Sequence, residues 1–231
     1  MIKKIGYLIF PVLMAIGHSV YANPVQTSCE QGEVALERSQ FADVVSSLSN
    51  CLANRSLDSA SRRRALQVRA WAYYSLHQDN AAVHDQEASF REGGPTEYRE
   101  FINYSSYLRR VSRFEDSLGA LREAERIDLR SGKVSMMTQY NLGWTLTELR
   151  RYDEAVKVLT DAIPLQPEFP FVYWRRALVF EALGRTSEAR RDIESAAKIM
   201  MTGPMKFPED EFKIALRKKI RQYNLQKTYP I

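Results

Sequence analysis

Cysteine and histidine are scarce, with two and three residues respectively in a chain of 231. Cys29 and Cys51 stand too far apart for a Cys-x-x-Cys redox pair. The histidines have no spacing that matches a metal site. Ten glycines and nine prolines leave little room for long flexible linkers. No phosphate-cradling glycine loop and no Gly-x-Ser-x-Gly elbow occurs. Strand-like alternation is missing from about Ala60 onward, which argues for helix after helix. The apolar run at the N-terminus, Ile5 to Ile16, is shorter than the roughly 20 residues a membrane-spanning helix needs.

That run has another use. Lys3 and Lys4 precede it, and Val20-Tyr21-Ala22 follows with residues that suit a signal peptidase. The pattern is that of a cleaved signal peptide over 1–22, with cleavage after Ala22. The alternative is an uncleaved anchor. No small-residue stretch precedes Cys29 as lipid attachment would require. A secreted, most simply periplasmic, protein is expected. Removing Lys3 and Lys4 takes the net charge from +5 to 5 − 2 = +3, too low for a dedicated nucleic-acid binder.

An oxidising compartment and an even count favour a Cys29–Cys51 disulfide over two free thiols. Such a bond closes a short loop and stabilises by roughly 3 kcal/mol in the chain-entropy model.

Sliding 136–169 onto the next stretch by 34 residues aligns Gly143 with Ala177, Leu146 with Phe180, Leu149 with Leu183 and Arg151 with Arg185. It also aligns Glu154 with Glu188, Ala155 with Ala189, Leu159 with Ile193 and Ala162 with Ala196. Leu142-Gly143, Leu146, Ala155, Leu159, Ala162 and Pro167 follow the tetratricopeptide repeat (TPR) pattern, which the sequence resembles. Gln139 departs from it, because the pattern has Trp there. Earlier copies keep the register: Ser105, Leu108, Val111, Phe114, Ser117, Leu121 and Ala124, shifted by 38; Ala70, Tyr73, Leu76, Ala82, Gln86 and Ser89; and faintly Gly32, Ala35, Phe41, Val44, Leu48 and Cys51.

The resemblance implies an all-α fold, an α-solenoid of antiparallel helix pairs with about five TPR-like repeats. A repeat domain over 23–203 would hold copies at 25–58, 63–96, 98–131, 136–169 and 170–203. Small residues let paired helices approach, large apolar ones fill the seam, and each pair covers the apolar face of its neighbour. Cys29 and Cys51 then fall on facing helices of the terminal copy, where an end repeat with one neighbour most needs a staple. Residues 204–231 form a C-terminal capping helix and tail. Acids at Pro208-Glu209-Asp210-Glu211 mark its start, and Phe212, Ala215, Leu216 and Ile220 form its apolar face. Its basic residues Arg217, Lys218, Lys219 and Arg221 read as a solvated outer face or, alternatively, as a membrane-surface contact.

No catalytic constellation emerges, and no enzyme activity, cofactor or metal is expected. His77 falls in a turn, and neither it nor His84 combines with Asp79 and Asp85 at a metal-ligand spacing. Ser195-Ala196-Ala197-Lys198 matches Ser-x-x-Lys, but its alanines are repeat packing positions and the partner motifs are absent.

In the TPR family the first helix of each pair lines the groove, so the resemblance implies contacts one turn from the packing seam. These are Trp71 and Tyr74; Arg99, Asn103, Arg109 and Arg110; Tyr140, Asn141 and Trp144; and Trp174 and Arg175. Aromatic and arginine side chains dominate binding hot spots. The same aromatics could instead fill space between repeats, and the arginines could be a solvated face. Family members that clamp a C-terminal carboxylate use Lys, Asn and Arg on successive first helices. Asn141 and Arg175 match two of those places, and Phe171 stands where a clamp Lys would be. A protein-interaction scaffold holding a protein or peptide, with acidic groups suited to the arginines, is the leading expectation. An immunity or inhibitor protein against a toxin, and a subunit binding an anionic envelope lipid or polymer, are the alternatives.

Overall fold

The computed structural model describes residues 24–95, 97–203 and 211–230, the first three of them by backbone alone. The leader, its cleavage point after Ala22 and the acids at 209 and 210 lie outside the described residues. Every described element is helical: α1 Pro24–Glu37, α2 Phe41–Leu52, α3 Ser59–Ser75, α4 Asp79–Arg91, α5 Tyr98–Arg110, α6 Phe114–Arg130, α7 Met136–Glu148, α8 Tyr152–Ala162, α9 Pro170–Ala182, α10 Thr186–Thr202 and α11 Glu211–Gln222, with a short 3-10 turn at Ile163–Leu165. Local sequence sets the starts. Asp58 accepts from the Ser61 amide at 2.9 Å ahead of α3, Glu97 and Glu100 form a capping box for α5, and Pro170 opens α9.

The chain divides into two compact units, an N-terminal one that ends at Ala120 and a C-terminal one from Leu121. In the N-terminal unit α1 packs on α2 and α3 on α4, and in the C-terminal unit α7 packs on α8 and α9 on α10. The fold is all-α, built of helix pairs, with α11 as its C-terminal cap.

The turn between paired helices repeats with little variation. Ser39, His77, Ser112, Arg150 and Gly184 all take positive φ, between 56° and 71°. The next residue's amide returns to a carbonyl five residues back: Gln40 to Ala35, Gln78 to Tyr73, Arg113 to Leu108, Arg151 to Leu146 and Arg185 to Phe180. This is a Schellman closure, which satisfies carbonyls a helix end would otherwise leave open. Gly132, with φ 69° and the Lys133-to-Asp128 bond at 3.1 Å, and Asn224, with φ 57° and the Leu225-to-Ile220 bond at 2.8 Å, make two further turns of the same kind after α6 and α11.

The small-residue slot of the first helices holds Gly32, Ala70, Ser105, Gly143 and Ala177. A Cβ at Gly32 would run into Leu48, and a Cβ at Gly143 into Leu159, the residue in the matching slot of the second helix. The first copy, faint as sequence, thus closes as the fourth does. Because Leu159 is fully buried it cannot yield, so Gly143→Val is expected to destabilise by roughly 2 to 3 kcal/mol. Urea unfolding would show this as a lower midpoint at an unchanged slope.

Two buried ion pairs lie within helix pairs, and their arginines also reach the preceding repeat. Arg69 donates to both oxygens of Asp85 at 2.6 and 3.0 Å and to the Ser49 hydroxyl at 2.9 Å. Arg176 does the same to Asp192, both contacts at 2.8 Å, and to the Thr160 hydroxyl at 2.8 Å. Each arginine ties its own helix pair together and reaches the second helix of the preceding one.

α11 caps the last pair through Leu216 and Ile220, which join Ala177, Ile193 and Ala197 in one core. It also keeps the register of a first helix. Tyr74 of α3 meets Tyr107 and Arg110 of α5, and Glu181 of α9 meets Lys219 and Gln222 of α11 at the equivalent positions. Gln67 meets Glu100, and Trp174 meets Phe212, again at equivalent positions. Arg217 occupies the small-residue slot of this sixth first helix. A side chain of that size bars the close approach that Gly143 permits, so the helix can cap but cannot pair in the same way.

Candidate partner-binding face

In the N-terminal unit the expected contacts are brought together only in part. Tyr74 lies against Trp71 at 5.7 Å and Tyr107 at 5.0 Å between ring centres. The Arg110 guanidinium covers Tyr74 at 5.2 Å, approaches His77 Nδ1 at 2.6 Å and donates to Asp79 Oδ2 at 3.2 Å. The His77 contact requires Nδ1 to accept, with the proton on Nε2. Burial pushes the Tyr107 phenol far above its ordinary pKa, and its hydroxyl has no hydrogen-bond partner among the described residues.

The three arginines of α5 among the expected contacts are engaged separately. Arg109 donates to the Ser105 and Ser106 hydroxyls, Arg110 is neutralised by Asp79, and exposed Arg99 bonds the Tyr98 hydroxyl at 3.2 Å. Asn103 is half-buried on α5.

The C-terminal unit holds a continuous aromatic ladder. Trp144 meets Tyr140 at 6.0 Å, Tyr140 meets Phe169 at 5.6 Å and Phe169 meets Phe171 at 5.1 Å. Phe171 then meets Phe212 at 4.3 Å, and Phe212 meets Trp174 at 5.6 Å. Tyr140 is buried in this ladder and Trp174 is half-covered by α11, so both act first as packing. Sequence reasoning passed over Phe169 and placed Phe212 only on the apolar face of the capping helix. Phe212 sits beyond a stretch that breaks the repeat spacing, which hid its place next to Trp174.

Trp144 remains half-exposed at one end of the ladder, its indole N–H donating to Glu148 at 3.0 Å. The Arg175 guanidinium lies over its ring at 4.0 Å, with Nε buried and unbonded. Among the described residues Arg175 makes no ion pair. A stacked, half-buried guanidinium with free outer N–H groups is an acceptor-seeking site, suited to a carboxylate or a backbone carbonyl. Asn141 does not assemble a clamp with it: the Asn141 amide is buried and donates to the Met137 carbonyl at 2.8 Å, and Phe171 belongs to the ladder.

Asp85 is held by Arg69, and His84 lies at 3.5 Å from the same carboxylate with its own ring largely exposed. Among the described residues no cluster of three or more His, Cys, Asp or Glu is placed to hold a metal. Ser195 bonds the Arg191 carbonyl and Lys198 is exposed, as ordinary helix-surface residues are. Two open grooves, of about 570 Å³ along α1 and α2 and about 580 Å³ among α6, α7 and α8, include none of the expected contacts.

The basic residues of α11 divide. Lys219 is paired with Glu181 at 2.6 Å, and Glu181 also accepts from Tyr223 at 2.8 Å. Burial, and then this bond, push the Tyr223 phenol up to about 12. Arg217 is half-buried, while Lys218 and Arg221 are exposed. No described helix is long and apolar enough to cross a membrane.

The sequence model of the tetratricopeptide repeat matches residues 138–169. Among solved structures, MamA 41-end from Desulfovibrio magneticus RS-1 is 12% identical, covering 80% of this chain and 99% of its own, with a TM-score of 0.67. MamA MSR-1 C2 is 17% identical, covering 76% and 95%, with a TM-score of 0.62. YrrB, described as a TPR protein with an unusual peptide-binding site, is 14% identical, covering 83% and 90%, also at 0.62. These likenesses are of fold. No curated protein matches.

Proposed function

We propose that this chain, a tetratricopeptide-repeat protein, is a non-enzymatic adaptor that holds a segment of a partner protein against its first helices. The carrying observation is Arg175, stacked at 4.0 Å on Trp144 and without an ion pair among the described residues. Buried arginines elsewhere are matched to carboxylates, Arg69 to Asp85 and Arg176 to Asp192. An aromatic–arginine pair half-open to solvent is hot-spot chemistry. A peptide-binding site is also what the YrrB description assigns to that protein.

The periplasm is the proposed location. The leader pattern over 1–22 and the Cys29–Cys51 disulfide both fit an oxidising compartment outside the cytoplasm. Mature protein recovered from an osmotic-shock fraction is expected to begin at Asn23; an intact Met1 in the membrane fraction would point to an anchor.

The binding test is capture from that fraction by immobilised protein, with Trp144→Ala/Arg175→Ala as the comparison. The double variant is expected to lose the captured protein, with a weakening of at least about 2 kcal/mol, while its helical circular dichroism stays unchanged. Equal capture by both would end the proposal for this face.

A further inference from the structure

The repeat register identifies a second part of that face, on α11. Counting back from its closing turn, Ile214, Lys218 and Arg221 take the positions held in α7 by Tyr140, Trp144 and Thr147. All three are exposed, Ile214 by 59%. Leu178 of α9 holds the Trp144 position between them and is half-buried. One register therefore runs through Trp144, Arg175, Leu178, Ile214, Lys218 and Arg221.

Its charge is positive from Arg175 through Lys218 to Arg221, with the exposed Glu211 of the same α11 face one turn before Ile214. Arg175, Lys218 and Arg221 make no ion pair among the described residues. The acids on the same side of α7 and α9 are engaged: Glu148 accepts from Trp144, and Glu181 accepts from Lys219 and Tyr223. Resting on the binding reading above, we infer that α11 selects an acidic protein segment. Its apolar side chains lie along Trp144, Leu178 and Ile214, and its carboxylates meet Arg175, Lys218 and Arg221.

The geometry favours this occupant over a membrane surface. An interfacial helix needs its apolar face free to enter the lipid. Leu216 and Ile220 of α11 are buried in the protein, and Phe212 packs against the same core. Ile214 alone is left outward, too little apolar area to insert but enough for one side chain of a peptide.

The test is selection of random short peptides displayed on phage against the immobilised full chain, run in parallel on Lys218→Glu/Arg221→Glu. The wild type is expected to enrich peptides rich in Asp and Glu. The reversed variant should lose that preference and bind the wild-type peptides at least about tenfold more weakly. Both replaced residues are exposed, so unchanged thermal melting is the folding control. Peptides without acidic enrichment, bound equally by the reversed variant but lost with Trp144→Ala, would overturn the role of α11 and leave the Trp144 site standing. Failure to enrich any peptide would overturn both. Binding to phosphatidylglycerol–phosphatidylethanolamine vesicles, abolished by the reversal and with no acidic peptide selected, would overturn the inference in favour of a membrane.

Discussion

Asp192→Ala is expected to destabilise the C-terminal unit by about 3 kcal/mol, because it leaves the Arg176 guanidinium without its carboxylate in a largely dry site. Asp192 is 4% exposed and accepts two bonds from Arg176, which retains only the Thr160 hydroxyl once the acid is gone. The informative comparison is Arg176→Leu/Asp192→Val. The fourth repeat carries Leu142 and Val158 in the same two slots, so the fold already contains an apolar version of this junction. Replacing a buried pair by well-packed apolar residues is often neutral or stabilising. The double variant should therefore recover most of what the single one loses. Urea denaturation read by circular dichroism gives both values, and a double variant as damaged as Asp192→Ala would refute the equivalence of the slots.

What could be read from the chain followed from how directly each contact is repeated. Gly143, Ala155, Leu159 and Ala162 recur at fixed spacing, so the helical class and the repeat at 138–169 were legible. The Arg69–Asp85 and Arg176–Asp192 pairs were not, because an arginine and an aspartate on helices look solvent-facing unless both copies are laid over each other by 107 residues. Arg110 looked like a free groove cation for a related reason. Its partners His77 and Asp79 flank a turn of the preceding repeat, and only the packing of α5 on α3 brings them near. Trp174 stands with Trp71 and Trp144 among the expected contacts, but its environment is decided by Phe212, which follows a sequence stretch that breaks the repeat spacing. The sixth first helix stayed hidden because Arg217 replaces the small residue by which the others are recognised.

The Cys29–Cys51 bond carries the other large effect. Reducing it, or replacing Cys51 with Ala, is expected to cost about 3 kcal/mol in the chain-entropy model for a loop of 22 residues. Alanine fits the site sterically, since Ala124, Ala162 and Ala196 hold the same slot in later repeats, so the change isolates the cross-link from the packing. The loss should also be local. The core joining α1 and α2 to α3 is small: Ala35, Val44, Leu48 and Cys51 meet Ala65, Val68 and Ala72. A repeat array unfolds from its weakest end when nearest-neighbour contacts carry its stability. Hydrogen exchange should thus accelerate at the Val44 and Leu48 amides on reduction, while those of Leu159 and Ile193 keep their protection. Uniform acceleration through all four would mean that the first repeat is coupled to the rest far more tightly than its core suggests. No acceleration anywhere would show the staple to be redundant with the Gly32–Leu48 contact.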